Sequence, residues 1–299
     1  MCCLFGLMDT RNRLTVRQKN RLLLALAIAS EERGTDATGI AYNFRGKLLI
    51  YKRPWPGRCM RFRVPENVRT VMGHTRMATQ GNCRKNYNNH PFPGRAGERP
   101  FALAHNGVLY NDGLLRRKLA LPETRIETDS YIAVQLIEQK KTLTLDSLQF
   151  MAEQVRGSFT FTVLDEAGSL YIVKGDSPFC LYRYPGRGLY LYCSTEEILQ
   201  TALAAAGLRL ERPERIPLRY GDILEIDPAG GLQWGEFQHF GKPYDWQGSI
   251  FPPFEETPYL EALRSVAGAF GVFPEEIDQL HRSGFTPEEI EDALYNREL

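Results

Sequence analysis

The feature that most restricts the fold is a recurring arrangement of an apolar run, a short glycine-containing turn and a second apolar run. Gly39 to Phe44 and Lys47 to Tyr51 flank Arg45-Gly46, and Ser158 to Leu164 and Leu170 to Lys174 flank Glu166-Ala167-Gly168. Cys180 to Tyr184 and Leu189 to Cys193 flank Pro185-Gly186-Arg187-Gly188; Asp222 to Asp227 and Leu232 to Phe237 flank Pro228-Ala229-Gly230-Gly231. Turns this short join antiparallel neighbours, because parallel neighbours need a crossover of about a dozen residues or more. Between the hairpins lie helical patterns. Thr15-Val16-Arg17-Gln18 reads as a capping box opening a helix to about Ser30, apolar nearly all round from Leu22 and therefore buried. Thr128 is placed as the cap of a helix from Asp129 to about Gln139, and further helices run from Leu145 to Arg156 and from Thr195 to about Ala206. Val68 to Gly73 and Phe101 to Val108 read as strands, with residues 80–100 between them as one long loop. Hairpins with helices inserted in runs predict an α+β fold, antiparallel sheets covered by helices, ending near residue 240.

Composition narrows the function classes. A net charge of +1 supplies no domain-wide basic excess, so no nucleic-acid partner is expected. The 6 cysteines (Cys2, Cys3, Cys59, Cys83, Cys180, Cys193) form no CxxC and no Cys/His cluster at zinc-ligand spacing, so no metal is expected. GxGxxG and P-loop fingerprints are missing, and no cofactor is expected. Leu22 to Ala29 is too short to span a bilayer and the start lacks a secretory pattern. No membrane partner is expected, and the cytoplasm is the expected compartment.

The first residues, Met1-Cys2-Cys3-Leu4-Phe5-Gly6, admit two readings. One is the start of a buried strand. In the other, trimming of Met1 leaves Cys2 with a thiol and a free α-amine. A thiol of pKa about 8.5 and an amine of about 7.7–8.0 are matched for proton transfer, and an N-terminal amine is a known base for its own side chain. Polar segments where strands end bear on the choice: Arg33-Gly34-x-Asp36-x-x-Gly39, His74-Thr75-Arg76-x-Ala78-Thr79, Asn88-x-His90-Pro91, His105-Asn106-Gly107 and Glu127-Thr128-Asp129. Singly, each has an ordinary reading as ion pair, core histidine, turn or helix-terminal acid.

Together, and behind Cys2-x-Leu4-Phe5-Gly6, they resemble the class II glutamine amidotransferases, whose glutaminase domain is an N-terminal nucleophile hydrolase. The resemblance covers roughly residues 2–230 and implies a four-layer αββα sandwich of antiparallel sheets with a small helical C-terminal appendage. It implies L-glutamine as substrate, Cys2 as nucleophile, and the Asn106 amide and Gly107 N–H as oxyanion donors. Arg76 would hold the substrate carboxylate and Asp129 its ammonium, with Thr79, Arg33, His74 and His105 around these groups. Cys3 and Leu4 stand where the family usually has Gly and Ile, Met77 where an aromatic is common, and Gln80 where His is common. None of these departures removes a catalytic group.

Residues 2–240 are assigned to the glutaminase domain, 241–258 to a Pro-containing linker and 259–299 to a helical tail. Phe273-Pro274-Glu275-Glu276-Ile277 and Thr286-Pro287-Glu288-Glu289-Ile290 are near-copies of a helix start. With Ser283-Gly284-Phe285 between them, they resemble the first two helices of a ubiquitin-associated type bundle, without an evident third. No acceptor domain is legible after residue 240. The expected function is therefore a glutaminase that forms a Cys2 thioester and supplies ammonia in trans to a partner synthetase or ligase, with residues 259–299 either docking that partner or capping the domain. Two other readings stand beside it: an amidohydrolase or transferase acting on a γ-glutamyl or other amide, and a non-catalytic binding module.

Overall fold

A computed structural model of the chain describes residues 2–238, 258–282 and 285–296. Strand β1 (Cys3–Asp9) is buried along its whole length. Helix α1 (Val16–Ala29) follows and opens on the capping box of Thr15 and Gln18 that the sequence predicts. Next come β2 (Ala37–Phe44), β3 (Lys47–Arg53), β4 (Thr70–Arg76), β5 (Phe92–Ala96) and β6 (Arg99–Leu109). Helices α2 (Asp112–Lys118), α3 (Tyr131–Lys140) and α4 (Leu145–Gln154) lead to β7 (Gly157–Asp165), β8 (Leu170–Lys174), β9 (Cys180–Tyr184) and β10 (Leu189–Cys193). Helix α5 (Glu196–Ala206) precedes β11 (Glu214–Arg215), β12 (Asp222–Ile226) and β13 (Leu232–Glu236). The C-terminal elements are α6 (Pro258–Ala267), α7 (Pro274–Arg282) and α8 (Pro287–Asn296).

The strands form a 7-stranded sheet, β11-β9-β10-β1-β4-β2-β3, and a 6-stranded sheet, β13-β12-β8-β7-β6-β5. Neighbours are antiparallel, as the hairpin pattern requires. Successive strand residues point to opposite faces, so each buried strand feeds two layers. Cys3, Phe5 and Leu7 of β1 pack outward with Leu22, Leu23 and Leu26 of α1 and Ile198 and Leu199 of α5. Leu4 and Met8 point the other way and meet Ala102, Ala104, Leu164 and Ile172 of the second sheet. Phe101, Leu103, Phe161 and Val163 then pack outward against Ile132 and Leu136 of α3 and Leu148 and Met151 of α4. The result is helix, sheet, sheet, helix: the expected four-layer αββα sandwich. Full burial of one such Leu or Phe stabilises the fold by about 1.5–3 kcal/mol.

Three local expectations are corrected. The predicted loop 80–100 is shorter, because 92–100 form the hairpin of β5 and β6. Pro93 and Gly94 disguise β5. It is an edge strand, where a missing N–H is tolerated, and the absent Gly94 side chain makes room for the Phe101 ring. Helix α3 begins at Tyr131 rather than Asp129, and Thr128 does not cap it: the Thr128 hydroxyl donates to Asn88 O at 2.8 Å. The tail, finally, has its third helix, and it comes first. In α6, Leu260, Leu263 and Ala267 bury against Ile277 of α7 and Ile290 and Leu294 of α8. The expected linker, 241–258, lies outside the described residues up to 257. Among the described residues no helix is long and apolar enough to cross a membrane.

Candidate active site

The alternation of β1 separates its two thiols. Cys3 faces the outer helical layer, fully buried, with its sulfur 3.7 Å from Cys193 Sγ. Cys2, one residue before the strand, is half-buried and lies at the end of the space between the sheets. Its thiol reaches Met77 O at 3.5 Å, and its carbonyl accepts from Arg33 Nε at 3.0 Å. Burial pushes the Cys2 thiol pKa up, the Arg76 charge pulls it down and the Asp129 charge raises it. Cys2 is therefore a neutral thiol that needs a base before it can attack.

Arg76 ends β4 and is only 2% exposed. Its Nη1 donates to Asn89 Oδ1 at 2.7 Å, and Nη2 donates to Gln80 O, to Gly81 O at 3.2 Å and to Thr128 Oγ1 at 3.5 Å. All these acceptors are neutral, and no ion pair is made to Arg76 among the described residues. A buried guanidinium in that state is poised for an anion. Asp129 is also 2% exposed, its Oδ2 accepting from the Leu109 N–H at 2.7 Å. Burial pushes its pKa up, while that hydrogen bond, the Ser130 N–H and the Arg76 charge hold it down.

The turn Arg33-Gly34-Thr35-Asp36 supports this end of β4. Asp36 N donates to Arg76 O at 2.9 Å, and Asp36 Oδ2 accepts from Ala78 N at 2.7 Å. A Cβ on Gly34 would stand 2.5 Å from the Arg76 carbonyl carbon, so only glycine permits the approach. Thr79 is half-buried three residues beyond Arg76 and makes no hydrogen bond among the described residues.

On β6, alternation sends Asn106 into the space between the sheets and His105 toward the helices. Asn106 Nδ2 donates to Ser194 Oγ at 3.4 Å. The same hydroxyl accepts from Leu4 N at 2.9 Å, so one side chain ties the β1 backbone to Asn106. Gly107 has φ +138, and a Cβ there would lie 1.9 Å from Ser158 O. His74 Nε2 meets His105 O at 2.9 Å, and His105 Nδ1 meets Ser130 Oγ at 2.7 Å. Burial lowers the pKa of His74 to about 3 and of His105 to about 4. Both rings are neutral struts near pH 7, not acid–base groups.

The structure thus brings Cys2, Arg33, His74, Arg76, His105, Asn106, Gly107 and Asp129 to one end of the sandwich. Sequence reasoning missed Ser194 and Asn89 as site residues. Ser194 has only its position at the end of a strand to mark it; Asn89 sits in the Asn88-x-His90-Pro91 stretch. Among the described residues no group of three or more His, Cys, Asp or Glu could hold a metal ion. The C-terminal helices lie beside this end. The Tyr259 ring of α6 is 6.3 Å from Tyr110, just after β6. Burial and the Glu291 charge push the Tyr295 phenol of α8 up, and Cys2 lies within electrostatic range of it.

Comparison with known proteins fits this geometry. A glutamine amidotransferase domain model matches residues 74–200, which span Arg76, Asn106, Gly107, Asp129 and Ser194. Residues 74–200 thus belong to a glutamine amidotransferase domain. The amidotransferase domain is 34% identical over 158 residues to a glutamine--fructose-6-phosphate aminotransferase of Bacillus cereus, covering 50% of this chain and 26% of that protein. It is 31% identical over 189 residues to the protein of the same name from Listeria innocua, covering 60% of this chain and 30% of that one. The chain thus spans under a third of the length of these relatives. The glutamine phosphoribosylpyrophosphate amidotransferase structure from B. subtilis shares the fold, with a TM-score of 0.60 and 21% identity over 79% of this chain and 49% of that chain.

Proposed function

We propose that the amidotransferase domain hydrolyses the side-chain amide of L-glutamine through a thioester on Cys2. The observation that carries the reading is Arg76: a buried cation, without an ion pair among the described residues, whose field reaches both Cys2 and the buried Asp129. A free amino acid has the opposite charges. Its α-carboxylate answers Arg76 and its α-ammonium answers Asp129, which leaves the amide directed at the thiol. With Met1 removed, the Cys2 amine takes the thiol proton, and sulfur attacks the amide carbon. The Asn106 amide and the Gly107 N–H receive the oxyanion. Collapse breaks the C–N bond, the amine returns the proton to the leaving nitrogen, and ammonia departs. Water then cleaves the thioester to glutamate and the free thiol. Arg33, His74 and His105 hold the backbone on which these groups stand, and Thr79 lines the mouth.

The ammonia passes to a partner synthetase or ligase in trans, and α6 to α8 form the face that meets it. Support comes from their place beside Tyr110 and Cys2. Intact mass together with glutamate release tests the glutaminase. Loss of Met1 and loss of activity in Cys2→Ala are expected; full activity in that variant ends the proposal. Recovery of partners by the full chain but not by residues 1–240 is expected of the docking face, and equal recovery rejects it.

A further inference from the structure

Arg76 is held by Asn89, and Asn89 is in turn held from behind. The Asn89 side chain is fully buried and used at both ends: Oδ1 accepts from Arg76 Nη1 at 2.7 Å, and Nδ2 donates to Cys83 O at 2.7 Å. Its backbone carbonyl accepts from Lys52 Nζ, which also donates to Pro91 O at 3.0 Å. Asn86 Nδ2 donates back to Lys52 O at 2.9 Å, so the 86–91 segment is fastened to β3 at three points. Lys52 stands opposite Gly39 of β2. A Cβ on Gly39 would lie 2.3 Å from His90 O and 2.7 Å from Lys52 Cβ, so the bare glycine lets the segment come down onto the sheet beside the lysine. The Lys52 ammonium lies 5.1 Å from the Phe92 ring centroid.

Lys52 makes no ion pair among the described residues. Burial, and then the Arg76 charge, hold its pKa down at about 7. A lysine desolvated near another cation, with neutral carbonyls as acceptors, costs stability that an apolar side chain would not. Groups perturbed in this way gather at functional sites. We propose that Lys52 is a positioning residue for glutamine: it holds Asn89 in the place from which Asn89 orients the Arg76 guanidinium toward the substrate carboxylate. This role rests on the glutaminase reading. A misplacement of about 1 Å in such a clamp can cost about 10²-fold, and the Lys52 charge adds to that of Arg76 where an anion is to dock. The other ionisable groups facing Lys52 are Arg76 and His74 of β4, His90, and Tyr87, Arg125 and Tyr131 around the open depression beside it. No Asp or Glu lines that depression. Burial keeps His74 and His90 neutral near pH 7, so a change of charge behind Asn89 near neutrality belongs to Lys52.

Titration calorimetry of L-glutamine into the full chain carrying Cys2→Ala reads binding without turnover. Lys52→Met keeps the apolar stem and loses the donor; at about pH 6.5 it should weaken binding by at least about fivefold, and Lys52→Arg should restore most of it. Binding to the Cys2→Ala parent should weaken by at least about threefold from about pH 6.5 to about pH 8, as the ammonium loses its proton, whereas Lys52→Arg stays charged and should hold its affinity. With Cys2 intact, Lys52→Met should raise KM for glutamine more than it lowers kcat. Equal affinity in Lys52→Met, or the same pH slope in Lys52→Arg as in the parent, overturns the proposal. Should Lys52→Met fail to fold, the two pH slopes still decide. Absence of glutamine binding to the parent at either pH is a different outcome, which rejects the glutaminase reading and this role with it.

Discussion

Asn106 donates to Ser194 across the space between the two sheets, Nδ2 to Oγ at 3.4 Å. Ser194 also accepts from the Leu4 N–H, two residues beyond Cys2. The bond therefore ties the strand that follows the Cys2 thiol to the strand that carries Asn106, the proposed oxyanion donor. Catalysis by preorganised dipoles depends on the distance between such groups being set before substrate arrives.

Asn106→Ala removes the proposed oxyanion donor, and kcat for glutamate release should fall about 10²- to 10³-fold. Ser194→Ala removes only the tether and should cost less. Steady-state kinetics at saturating glutamine separate the two; an equal loss would place Ser194 in contact with substrate.

The two thiols should behave oppositely. Cys2→Ala should abolish turnover and leave the melting temperature near that of the wild type, because Cys2 is half-buried at the start of a strand. Cys3→Ala should keep most of the activity and lose stability by about 1 kcal/mol, as its sulfur is fully buried against Cys193. Differential scanning calorimetry with a glutamate assay reads both.

Arg76→Lys keeps the charge but loses the fork proposed to meet the substrate carboxylate and the bonds to Asn89 and Gln80. KM for glutamine should rise by at least about tenfold, the worth of a charged hydrogen bond. Activity on a γ-glutamyl substrate without a free carboxylate would be changed less, and a uniform loss would contradict the carboxylate role.

Gly107→Ala places a Cβ on Ser158 O at a backbone φ of +138. A destabilisation of more than about 2 kcal/mol is expected from strain and steric overlap, with activity lost. Urea unfolding measures it.

Stability should fall with acid as the buried imidazoles are forced to protonate, His105 and His74 setting the window. An unfolded His takes up a proton near pH 6.5, while folded His105 and His74 resist until about 4 and about 3. Between those limits the unfolded chain holds more protons. The stabilisation is thus whole above about pH 6.5 and is lost progressively as the pH falls toward 4 and then 3. Urea midpoints from pH 7 to 4 should fall, and His105→Gln should show a shallower slope.

Much of this was legible in the chain itself. The hairpin turns specified antiparallel sheets, and the Thr15 and Gln18 box specified α1. Such features are local: a turn or a cap is set by residues a few positions apart. Strand β5 escaped because Pro93 and Gly94 are poor strand formers in isolation and are accommodated only at a sheet edge, against Phe101. The third helix of the tail escaped because α6 buries its anchors only once α7 and α8 are present.

The sequence by itself determined the hairpins, the capped start of α1, the nucleophile candidate and the polar segments around it. Only the tertiary structure decided that Ser194 would bridge Leu4 and Asn106, that Asn89 would hold Arg76, and that Arg76 would be buried without an ion pair. The reason is physical. Those relations join residues on different sheets or on either side of a long loop, and their geometry follows from the register of β1 against β10 and β4 and the stacking of the sheets. No pattern of neighbouring residues encodes a distance across that gap.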